Sequence, residues 1–267
     1  MTDPRDPGHG RLTIVIVSYN ACTDLATCLS SLTTHPPAID HDIVVVDNAS
    51  SDGSVAAARG FAGVTVIPLE RNAGFAAANN VGIRASAGDL ILLLNSDTSV
   101  PPGAIDALVA RLRAVGEAAA AGPRLTDSRD EPELSFGRMI SPYREYRQKH
   151  RSREWIARET RREQFVDWVS GACLLVWRRD AEAAGLLDER FFLYTEDVDF
   201  CASIRKLGRK VLFTPVATIT HLRGRSRASR PEASRQLYRR SHLAFYEKHH
   251  PRWAPVLKLY LRAKGEL

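Results

Sequence analysis

The chain has 267 residues, a hydrophobic fraction of 44% and a charged fraction of 25%. These values are ordinary for a globular protein, and they exclude collagen-like, low-complexity and disordered classes for most of the chain. The formal net charge of +6 indicates an anionic partner. It leaves nucleic acid, a lipid headgroup surface and a nucleotide diphosphate open.

The four cysteines are scattered and form no C-x-x-C pair, which argues against a zinc site. Such thiols are typical of a reduced, cytosolic protein. The N-terminal segment MTDPRDPGHGR contains no apolar stretch, so we expect no secretory signal. The longest apolar runs have the length of a strand, whereas about 20 apolar residues are needed to span a bilayer. We therefore expect a cytoplasmic protein without a membrane span.

Strands and helices alternate in the first half of the chain. Continuous apolar runs, typical of buried parallel strands, occupy four segments: 12–17, 43–46, 64–69 and 90–94. Helical spacing of apolar residues or alanine-rich sequence predicts four helices: 23–35, 54–59, 74–87 and 103–115. Four successive strand–helix units predict an α/β protein with a parallel, doubly wound sheet and right-handed crossovers.

Polar residues follow three of these strands directly. They are Ser18, Tyr19 and Asn20 after the first strand, Asp47 and Asn48 after the second, and Asn95, Ser96 and Asp97 after the fourth. Ligands bind beyond the carboxyl ends of strands in such sheets, so we expect the three clusters to meet in one crevice. Asp97 has the chemistry to bind a hard divalent cation that holds a diphosphate, or simply to cap a loop.

The second half of the chain is less regular. Residues 124–165 show no clear periodicity, and strands are predicted over 172–177, 210–213 and 217–220. A helix is expected from Thr195, its N-cap, through Leu207, with a glycine at the C′ position. Two amphipathic helices are predicted in the C-terminal tail, around residues 232–248 and 253–264.

Three features of this half have both a structural and a chemical interpretation. Glu196 and Asp197 open the helix with Asp199, where acids complement the helix dipole, and where a carboxylate can also serve as a general base. His221, at the end of a strand, fits either a structural role or a divalent metal ligand. The turn 170–172 near Trp168 is either a tight turn beside a core tryptophan or a point of close approach for a sugar.

Six segments, followed by His221, carry a resemblance to a known family. They read TIVIVSYN, VVVDNASSDGS, RNAGFAAANNVGI, LLLNSDT, WVSGACLLVWRR and FFLYTEDVDFCASIRKLGRKV, and they cover roughly residues 12–221. In this order and spacing the chain resembles glycosyltransferase family 2, inverting enzymes of the GT-A fold, and in particular its rhamnosyltransferase-like branch. The resemblance implies a Rossmann-like, mostly parallel central sheet flanked by helices, with C-terminal helices.

The resemblance also implies a set of residues that bind the nucleotide-sugar donor. They are Ser18, Tyr19 and Asn20 at the nucleotide, Asp47 and Asn48 at its base and ribose, Asn72 and Gly74 in the pocket wall, and Asn95, Ser96 and Asp97 at the DXD position. Mg²⁺ or Mn²⁺ would be held by Asp97 and His221. The family pattern has an acid where Asn95 stands, and the branch often has proline where Ser96 stands. Because an amide binds metal less strongly than a carboxylate, tight metal binding is in question.

On the acceptor side, the resemblance implies that Asp197 is the catalytic base, helped by Glu196. Trp168, Gly171 and Ala172 would face the acceptor. The expected reaction is an inverting, metal-dependent transfer of a sugar, with rhamnose as a candidate, from a dTDP- or UDP-sugar to an acceptor hydroxyl. A carbohydrate, a lipid-linked saccharide and a natural product all remain open as acceptors, and so does a homodimer as the oligomeric state.

The expected domain is a single GT-A unit. We divide it into a leader at 1–10, a nucleotide-sugar-binding half at 11–122, an acceptor-binding and catalytic half at 123–225, and a helical extension at 226–267. A nucleotidyltransferase that releases pyrophosphate is the alternative enzyme, but a Lys-containing glycine-rich loop after the first strand is missing from the sequence. A nucleic-acid-binding protein is a remote alternative, because no helix-turn-helix, RNP or finger pattern occurs, and we expect no nucleic-acid partner.

The positive charge is concentrated in two segments. Residues 138–162 hold nine Lys and Arg against three acids, and residues 205–240 hold eleven against one, so the remainder of the chain is acidic. Arginines such as Arg223, Arg225 and Arg227 are candidates to bind a donor diphosphate, an acceptor phosphate or a membrane surface, and a solvated protein face is the alternative for most of these side chains. Peripheral contact with the inner face of a membrane, through these segments and the last helix, is open, as is packing of that helix on the catalytic domain.

Overall fold

The computed structural model describes residues 10–141, 152–222 and 231–266. Twelve strands lie in these ranges: β1 (Leu12–Ser18), β2 (His41–Asp47), β3 (Val64–Pro68), β4 (Leu90–Asn95), β5 (Thr98–Ser99), β6 (Ala118–Thr126), β7 (Pro132–Glu133), β8 (Phe136–Gly137), β9 (Gln164–Val166), β10 (Trp168–Val169), β11 (Cys173–Trp177) and β12 (Lys210–His221).

Nine helices lie in the same ranges: α1 (Cys22–Thr34), α2 (Ser54–Arg59), α3 (Phe75–Arg84), α4 (Ala104–Ala114), α5 (Arg153–Glu159), α6 (Arg178–Ala183), α7 (Glu196–Lys206), α8 (Pro231–His249) and α9 (Ala254–Ala263). Both helices predicted in the C-terminal tail are present. Within the described residues, no helix is both long and apolar enough to cross a membrane.

The main sheet has the strand order β3-β2-β1-β4-β11-β6-β12-β5. Strand β1 runs parallel to β2 and β4, β2 runs parallel to β3, and β6 runs parallel to β12. Only β11, among the long strands described, enters antiparallel, between β4 and β6. This arrangement confirms the expected α/β architecture with a mostly parallel central sheet.

Helices cover both faces of the sheet, which explains the continuous apolar runs of its central strands. Every residue of β1 is buried. Ile14 and Ile16 face a core cluster shared with α1, α2 and α4, whereas Val15 faces a second cluster shared with α3, α6 and α7. The strand needs apolar side chains at successive positions because each face meets a helical layer.

Two expectations for the second half of the chain were wrong. Strand β6, central in the sheet, was missed because its first four residues are alanines, which lack the β-branched side chains typical of strands. The strands predicted at 210–213 and 217–220 are one strand, β12. Its pairing with β6 shifts register between Thr214 and Thr218, where Pro215 supplies no backbone N–H for the ladder.

The predicted division of the chain into parts does not follow the strands of the main sheet. The boundary between residues 122 and 123 lies inside β6, and strands from both predicted halves share the main sheet. The boundary between 225 and 226 lies outside the described residues, as does most of the expected leader. The division into two functional halves stays a prediction.

Candidate active site

The carboxyl ends of three central strands lie at one edge of the sheet. Ser18 at the end of β1 pairs with Asp47 at the end of β2, and Val17 pairs with Asn95 at the end of β4. The three polar clusters predicted to meet in one crevice therefore do lie side by side. The register that brings them together follows from the parallel pairing of strands with matched ends.

Two acceptors at this edge have unused hydrogen-bonding capacity. One carboxylate oxygen of Asp47 accepts from the backbone N–H of Ser50 at 2.8 Å. Its other oxygen and the hydroxyl of Ser18 are buried and have no hydrogen-bond partner within the described residues. A buried polar group without a partner is costly. Both atoms are therefore suited to bind a polar ligand in the crevice.

The loop after β1 is shaped by its own polar side chains. Asn20 has a left-handed backbone conformation with φ of 50°, and its side-chain oxygen accepts from the backbone N–H of Ser51 at 2.7 Å. The neighbouring Tyr19 is left 42% exposed at the edge of the crevice. An exposed ring at this position offers a flat surface for a base or a sugar.

Asn48 and Asn72 connect the β2 end to the loop before α3. The side chain of Asn48 donates to the carbonyl of Gly74 at 3.3 Å and accepts from the N–H of Ala73 at 2.8 Å. Asn72 accepts from the N–H of Gly74 at 3.0 Å. Both amides are thus engaged in holding this loop, and their predicted contact with a nucleotide stays a prediction.

Gly74 makes a close contact that only glycine allows. Its φ of 89° and ψ of 168° lie in a region essentially restricted to glycine. A Cβ at this position would lie 2.6 Å from the carbonyl oxygen of Phe192, which also accepts from the N–H of Phe75 at 2.7 Å. The donor-side loop therefore packs directly on the segment that leads to α7.

The DXD-like segment is brought to His221 by strand pairing. Strand β5 pairs antiparallel with the end of β12, so that Thr98 lies opposite His221. As a result His221 Nε2 lies 3.2 Å from Asp97 Oδ1 and 3.5 Å from the amide nitrogen of Asn95. Two residues separated by 124 positions in the sequence thus form one polar cluster. Ser96, which stands between Asn95 and Asp97 in the sequence, is half-buried.

Glu133 is a member of this cluster that the sequence did not indicate. Its Oε2 lies 3.2 Å from His221 Nδ1. It comes from β7, a two-residue strand in the stretch without periodicity, so only a prediction of strand pairing would have found it. Burial alone would lower the pKa of His221, but hydrogen bonds to Asp97 and Glu133 outweigh burial and raise it to about 9.

The donors at this cluster fit a hard divalent cation. The side-chain oxygen of Asn95 is buried without a hydrogen-bond partner in the described part of the chain. Together with the carboxylate of Asp97 and the imidazole of His221, it provides oxygen and nitrogen donors suited to Mg²⁺ or Mn²⁺. Glu133 would fix the ring with Nε2 towards the cation. The described residues contain no group of three or more His, Cys, Asp or Glu side chains placed so that together they could hold a metal ion. A cation here would therefore need further ligands from a bound molecule.

Asp197 lies in the first turn of α7 and faces the turn 170–172. Its Oδ2 accepts from the backbone N–H of Gly171 at 2.9 Å, and its Oδ1 accepts from the N–H of Val198 at 2.8 Å. The helix N-terminus and these two N–H groups favour an ionised carboxylate. A Cβ on Gly171 would lie 3.3 Å from the Cβ of Asp197, so glycine allows the turn to approach the acid closely.

Glu196 is buried beside Asp197. Its Oε2 has no hydrogen-bond partner among the described residues. Burial, reinforced by the negative charge of Asp197, raises the pKa of Glu196 well above its usual value. The surroundings of Glu196 therefore favour its protonated form more than those of a solvent-exposed glutamate do.

The segment before α7 has an unusual backbone. Tyr194 and Thr195 both have left-handed φ values, 71° and 70°, which are uncommon for an aromatic and a β-branched residue. Thr195 occupies the N-cap position as expected, and its side chain makes no capping hydrogen bond. Strain of this kind is frequent where a side chain must be presented in a fixed direction.

The residues expected at the acceptor differ in their surroundings. Trp168 is half-buried, and its indole N–H donates to the carbonyl of Arg138 at 3.0 Å. Its ring lies against Gly137, where a Cβ would come within 2.7 Å of it. Ala172 is buried, and its carbonyl accepts from the N–H of Asn95 at 3.0 Å. The acceptor roles of these residues stay predictions.

The turn 170–172 joins the two chemical centres of the crevice. On one side Ala172 receives the hydrogen bond from the backbone of Asn95, in the segment that carries Asp97. On the other side Gly171 donates to the carboxylate of Asp197. The segment that carries Asp97 and the acid at the start of α7 are therefore fixed on either side of one short turn.

An open cavity of about 530 Å³ lies at the opposite end of α7 and includes none of the predicted site residues. Among its basic side chains, Arg205 pairs with Asp167 at 2.9 Å and Lys210 with Glu117 at 2.8 Å. We assign no part of the chemistry to this cavity. Arg223, Arg225 and Arg227, which were candidates to bind phosphate, lie outside the described residues.

Comparisons with other sequences show a family likeness over most of the chain. A family model described as Glycosyl transferase family 2 matches residues 13–181. An N-acetylglucosaminyl-diphospho-decaprenol L-rhamnosyltransferase of Mycobacterium tuberculosis (strain CDC 1551 / Oshkosh) is 30% identical, over 91% of this chain and 86% of its own length. An uncharacterised glycosyltransferase of Bacillus subtilis (strain 168) is 34% identical over 36% of each chain.

Solved structures share the fold at lower sequence identity. A mannosyltransferase from Pyrobaculum calidifontis, in complex with GDP-Man and Mn²⁺, has a TM-score of 0.62 at 18% identity and matches 94% of this chain and 68% of its own. GalNAc-T7 with UDP, GalNAc and Mn²⁺ has a TM-score of 0.62 at 18% identity, over 82% of this chain and 44% of its own. At such identity the likeness concerns the fold alone.

Proposed function

The chain belongs to glycosyltransferase family 2 and has the GT-A fold, and we propose that this glycosyltransferase moves rhamnose onto a lipid-linked saccharide. The donor would be a dTDP- or UDP-sugar and the acceptor a saccharide on a polyprenyl diphosphate. The named activity of the mycobacterial relative, at 30% identity over 91% of the chain, supports both substrate classes. We expect the reaction to take place on the cytoplasmic side of a membrane.

The turn 170–172 is the observation that carries the mechanistic part of the proposal. It fixes the Asp97 segment on one side and Asp197 on the other. A sugar placed between them would have its leaving diphosphate near Asp97 and its acceptor hydroxyl near Asp197. That separation is what an inverting displacement needs, because the two groups act on opposite faces of one anomeric carbon.

Donor binding would use the unpaired acceptors at the sheet edge. The buried Oδ2 of Asp47 would accept from the nucleotide, and Tyr19 would lie along its base or ribose. Asp97 and His221 would hold Mg²⁺ or Mn²⁺ together with oxygens of the donor diphosphate. When bound, such a cation neutralises the charge of the departing nucleoside diphosphate.

Asp197 would act as the general base. Its carboxylate is kept ionised by the N–H groups of Gly171 and Val198. It would take the proton from the acceptor hydroxyl while the hydroxyl oxygen attacks the anomeric carbon from the face opposite the nucleotide. Glu196 lies buried beside it, where burial and the charge of Asp197 favour the protonated form of Glu196.

A donor panel tests the proposal. The purified chain is incubated with dTDP-rhamnose, UDP-glucose, UDP-GlcNAc, UDP-galactose or GDP-mannose, each with and without Mn²⁺, and nucleotide release is measured. We expect release from dTDP-rhamnose above the other donors when a polyprenyl-diphosphate saccharide is present. Equal release from all donors would contradict the assignment of rhamnose.

A parallel incubation with dTTP or UTP and a sugar 1-phosphate in place of the nucleotide sugar distinguishes the nucleotidyltransferase alternative. A glycosyltransferase releases a nucleoside diphosphate, whereas a nucleotidyltransferase releases pyrophosphate. Pyrophosphate as the product would overturn the proposed reaction, and we expect none.

A further inference from the structure

The last helix, α9, exposes a row of large apolar side chains. Val256 is 57% exposed and Leu259 is 71% exposed. Trp253, just before the helix, and Tyr260 are also exposed. At helical spacing these four side chains share one side of the helix. Three of these groups on a ten-residue helix, with Trp253 just before it, form an exposed apolar patch of the kind that marks an interaction site.

The other side of α9 is packed against the protein, so the helix has a fixed orientation. Ala254 and Leu261 are buried. Ala254 and Leu257 join a cluster that includes Val198 of the catalytic helix α7 and the ring of Trp168. One side of α9 thus packs on the domain, while another side exposes the apolar row.

The charge around this row is positive. Arg252, Lys258, Arg262 and Lys264 are exposed, and the ammonium group of Lys264 lies 5.0 Å from the centre of the Tyr260 ring. The sequence contains no acidic residue from position 251 to 265. The first acid beyond it, Glu266, pairs with Arg239 at 2.8 Å. An apolar row flanked by exposed cations matches the boundary between anionic lipid headgroups and acyl chains.

We propose that the exposed side of α9 docks on an anionic lipid bilayer. Val256, Leu259 and Tyr260 enter the headgroup–acyl boundary, and Arg262 and Lys264, which flank the row on its two sides, lie among the lipid phosphates. This docking goes beyond the proposed sugar transfer, since it depends neither on the donor nor on the acceptor.

The position of α9 gives the docking a consequence for the enzyme. Its buried side belongs to the same cluster as Val198, which is next to Asp197, and Trp168, which is near the turn 170–172. The bilayer is therefore placed beside the acceptor side of the crevice. A membrane-bound acceptor would reach Asp197 without leaving the lipid surface.

Vesicle binding tests the docking. The full chain is mixed with vesicles of phosphatidylcholine, with and without phosphatidylglycerol, and bound protein is measured by sedimentation. We expect binding to the anionic vesicles, salt-sensitive and at least about tenfold weaker in Val256→Ser/Leu259→Ser and in Arg262→Glu/Lys264→Glu. Val216→Ser is the matched control, because Val216 is 53% exposed on β12, and it is expected to bind like wild type.

Circular dichroism and thermal unfolding check that the α9 variants keep the wild-type fold. Wild-type protein that stays unbound on anionic vesicles would overturn the proposal. So would binding that both α9 variants retain. A concentration-dependent dimer that the α9 variants abolish, without vesicle binding, would assign the surface to a second copy of the chain instead. The assay contains no sugar donor, so its result is independent of the proposed transfer reaction.

Discussion

Glu196, Asp197 and Asp199 occupy four consecutive positions with Val198, yet their carboxylates meet different surroundings. Glu196 is buried with one oxygen unpaired. Asp197 faces the turn at Gly171. Asp199 is fully buried, and its Oδ1 lies 2.6 Å from His249 Nε2 of α8. The first turn of a helix points successive side chains about 100° apart, which is why the three acids of one short motif meet three different surroundings.

Replacement of Asp197, the proposed base, should lower turnover without lowering donor affinity. We expect Asp197→Asn to lower kcat by about 100- to 10,000-fold, the usual contribution of a general base. Asparagine can still accept the hydrogen bond from Gly171, so the turn and donor affinity should stay close to wild type. Turnover and nucleotide affinity, measured by calorimetry, check this.

Asp130→Asn is the matched control, because Asp130 lies on an exposed loop and its φ of 61° suits asparagine. It should leave both quantities unchanged. Loss of donor affinity in parallel with activity in Asp197→Asn would argue against the role as base.

Glu196 should give the protein a measurable pH dependence of stability. Its folded pKa lies well above the usual 4.5, so between 4.5 and the folded pKa the native state holds a proton that the unfolded state has lost. The wild-type free energy of unfolding therefore falls as pH rises through this window, by up to about 1.4 kcal/mol per pH unit from this group. Glu196→Gln removes that proton exchange.

Urea unfolding of wild type and Glu196→Gln at a series of pH values measures the effect. The stability of the variant relative to wild type should increase as pH rises above 4.5. A constant difference across the series would mean that Glu196 is ionised in the folded protein. Effects of all other titrating groups cancel in the comparison unless they contact Glu196.

At the scale of elements, helix α8 fastens the segment that carries the proposed base. Ser241 donates to the carbonyl of Leu193 at 2.8 Å. Lys248 donates to Asp188 and to Asp199, both at 2.8 Å. The hydrogen bonds from Arg190 and Lys248 hold the pKa of Asp188 well below its usual range. Both ends of the segment 188–199, which includes the left-handed pair before α7, are thus tied to the C-terminal extension.

Loss of the hydrogen bonds from Lys248 should lower both stability and activity. We expect Lys248→Met to lower the free energy of unfolding by about 3 kcal/mol, because the buried carboxylate of Asp199 loses a charged partner. At temperatures where the variant is folded, kcat should fall with little change in donor affinity. Urea unfolding and steady-state kinetics measure the two effects.

The control is Lys206→Met, at an exposed position in the last turn of α7. It should change neither stability nor kcat appreciably. Unaltered kcat in a folded Lys248→Met would mean that α8 stabilises the domain without positioning Asp197.

The limits of prediction from the sequence are also clearest for elements. Strands β1, β2 and β4 could be predicted because burial on both faces requires continuous apolar runs, and their polar ends located the crevice. The proximity of His221 to Asp97 could not be derived from spacing, because it depends on the pairing of β5 with β12. Strand β6 was missed because it begins with small residues in place of the usual β-branched ones. Small residues fit where neighbouring segments come close, since a Cβ on Gly122 would lie 2.6 Å from Val169. The place of Glu133 beside His221 depends on the pairing of β7 with β6 and of β6 with β12.

For the whole molecule, the cation and nucleotide sites should be coupled. Asn95, Asp97 and His221 offer a cation three donors from the described chain, fewer than octahedral coordination requires, so diphosphate oxygens would complete its coordination. Ser18 and Asp47 belong to the neighbouring strands β1 and β2 and can bind a nucleotide without the cation. Binding of either ligand should therefore favour binding of the other by the same factor.

Thermal unfolding with UDP or dTDP, Mn²⁺, or both should show this coupling. Ligand at about 100 times its Kd adds about 2.7 kcal/mol to the stability of the folded state, and in wild type the combined shift in Tm should exceed the sum of the separate shifts. In Asp97→Asn the nucleotide alone should still raise Tm, while the excess from Mn²⁺ disappears. Asp130→Asn should behave like wild type. Strictly additive shifts in wild type would place the cation away from the diphosphate, since a shared ligand cannot leave the two affinities independent.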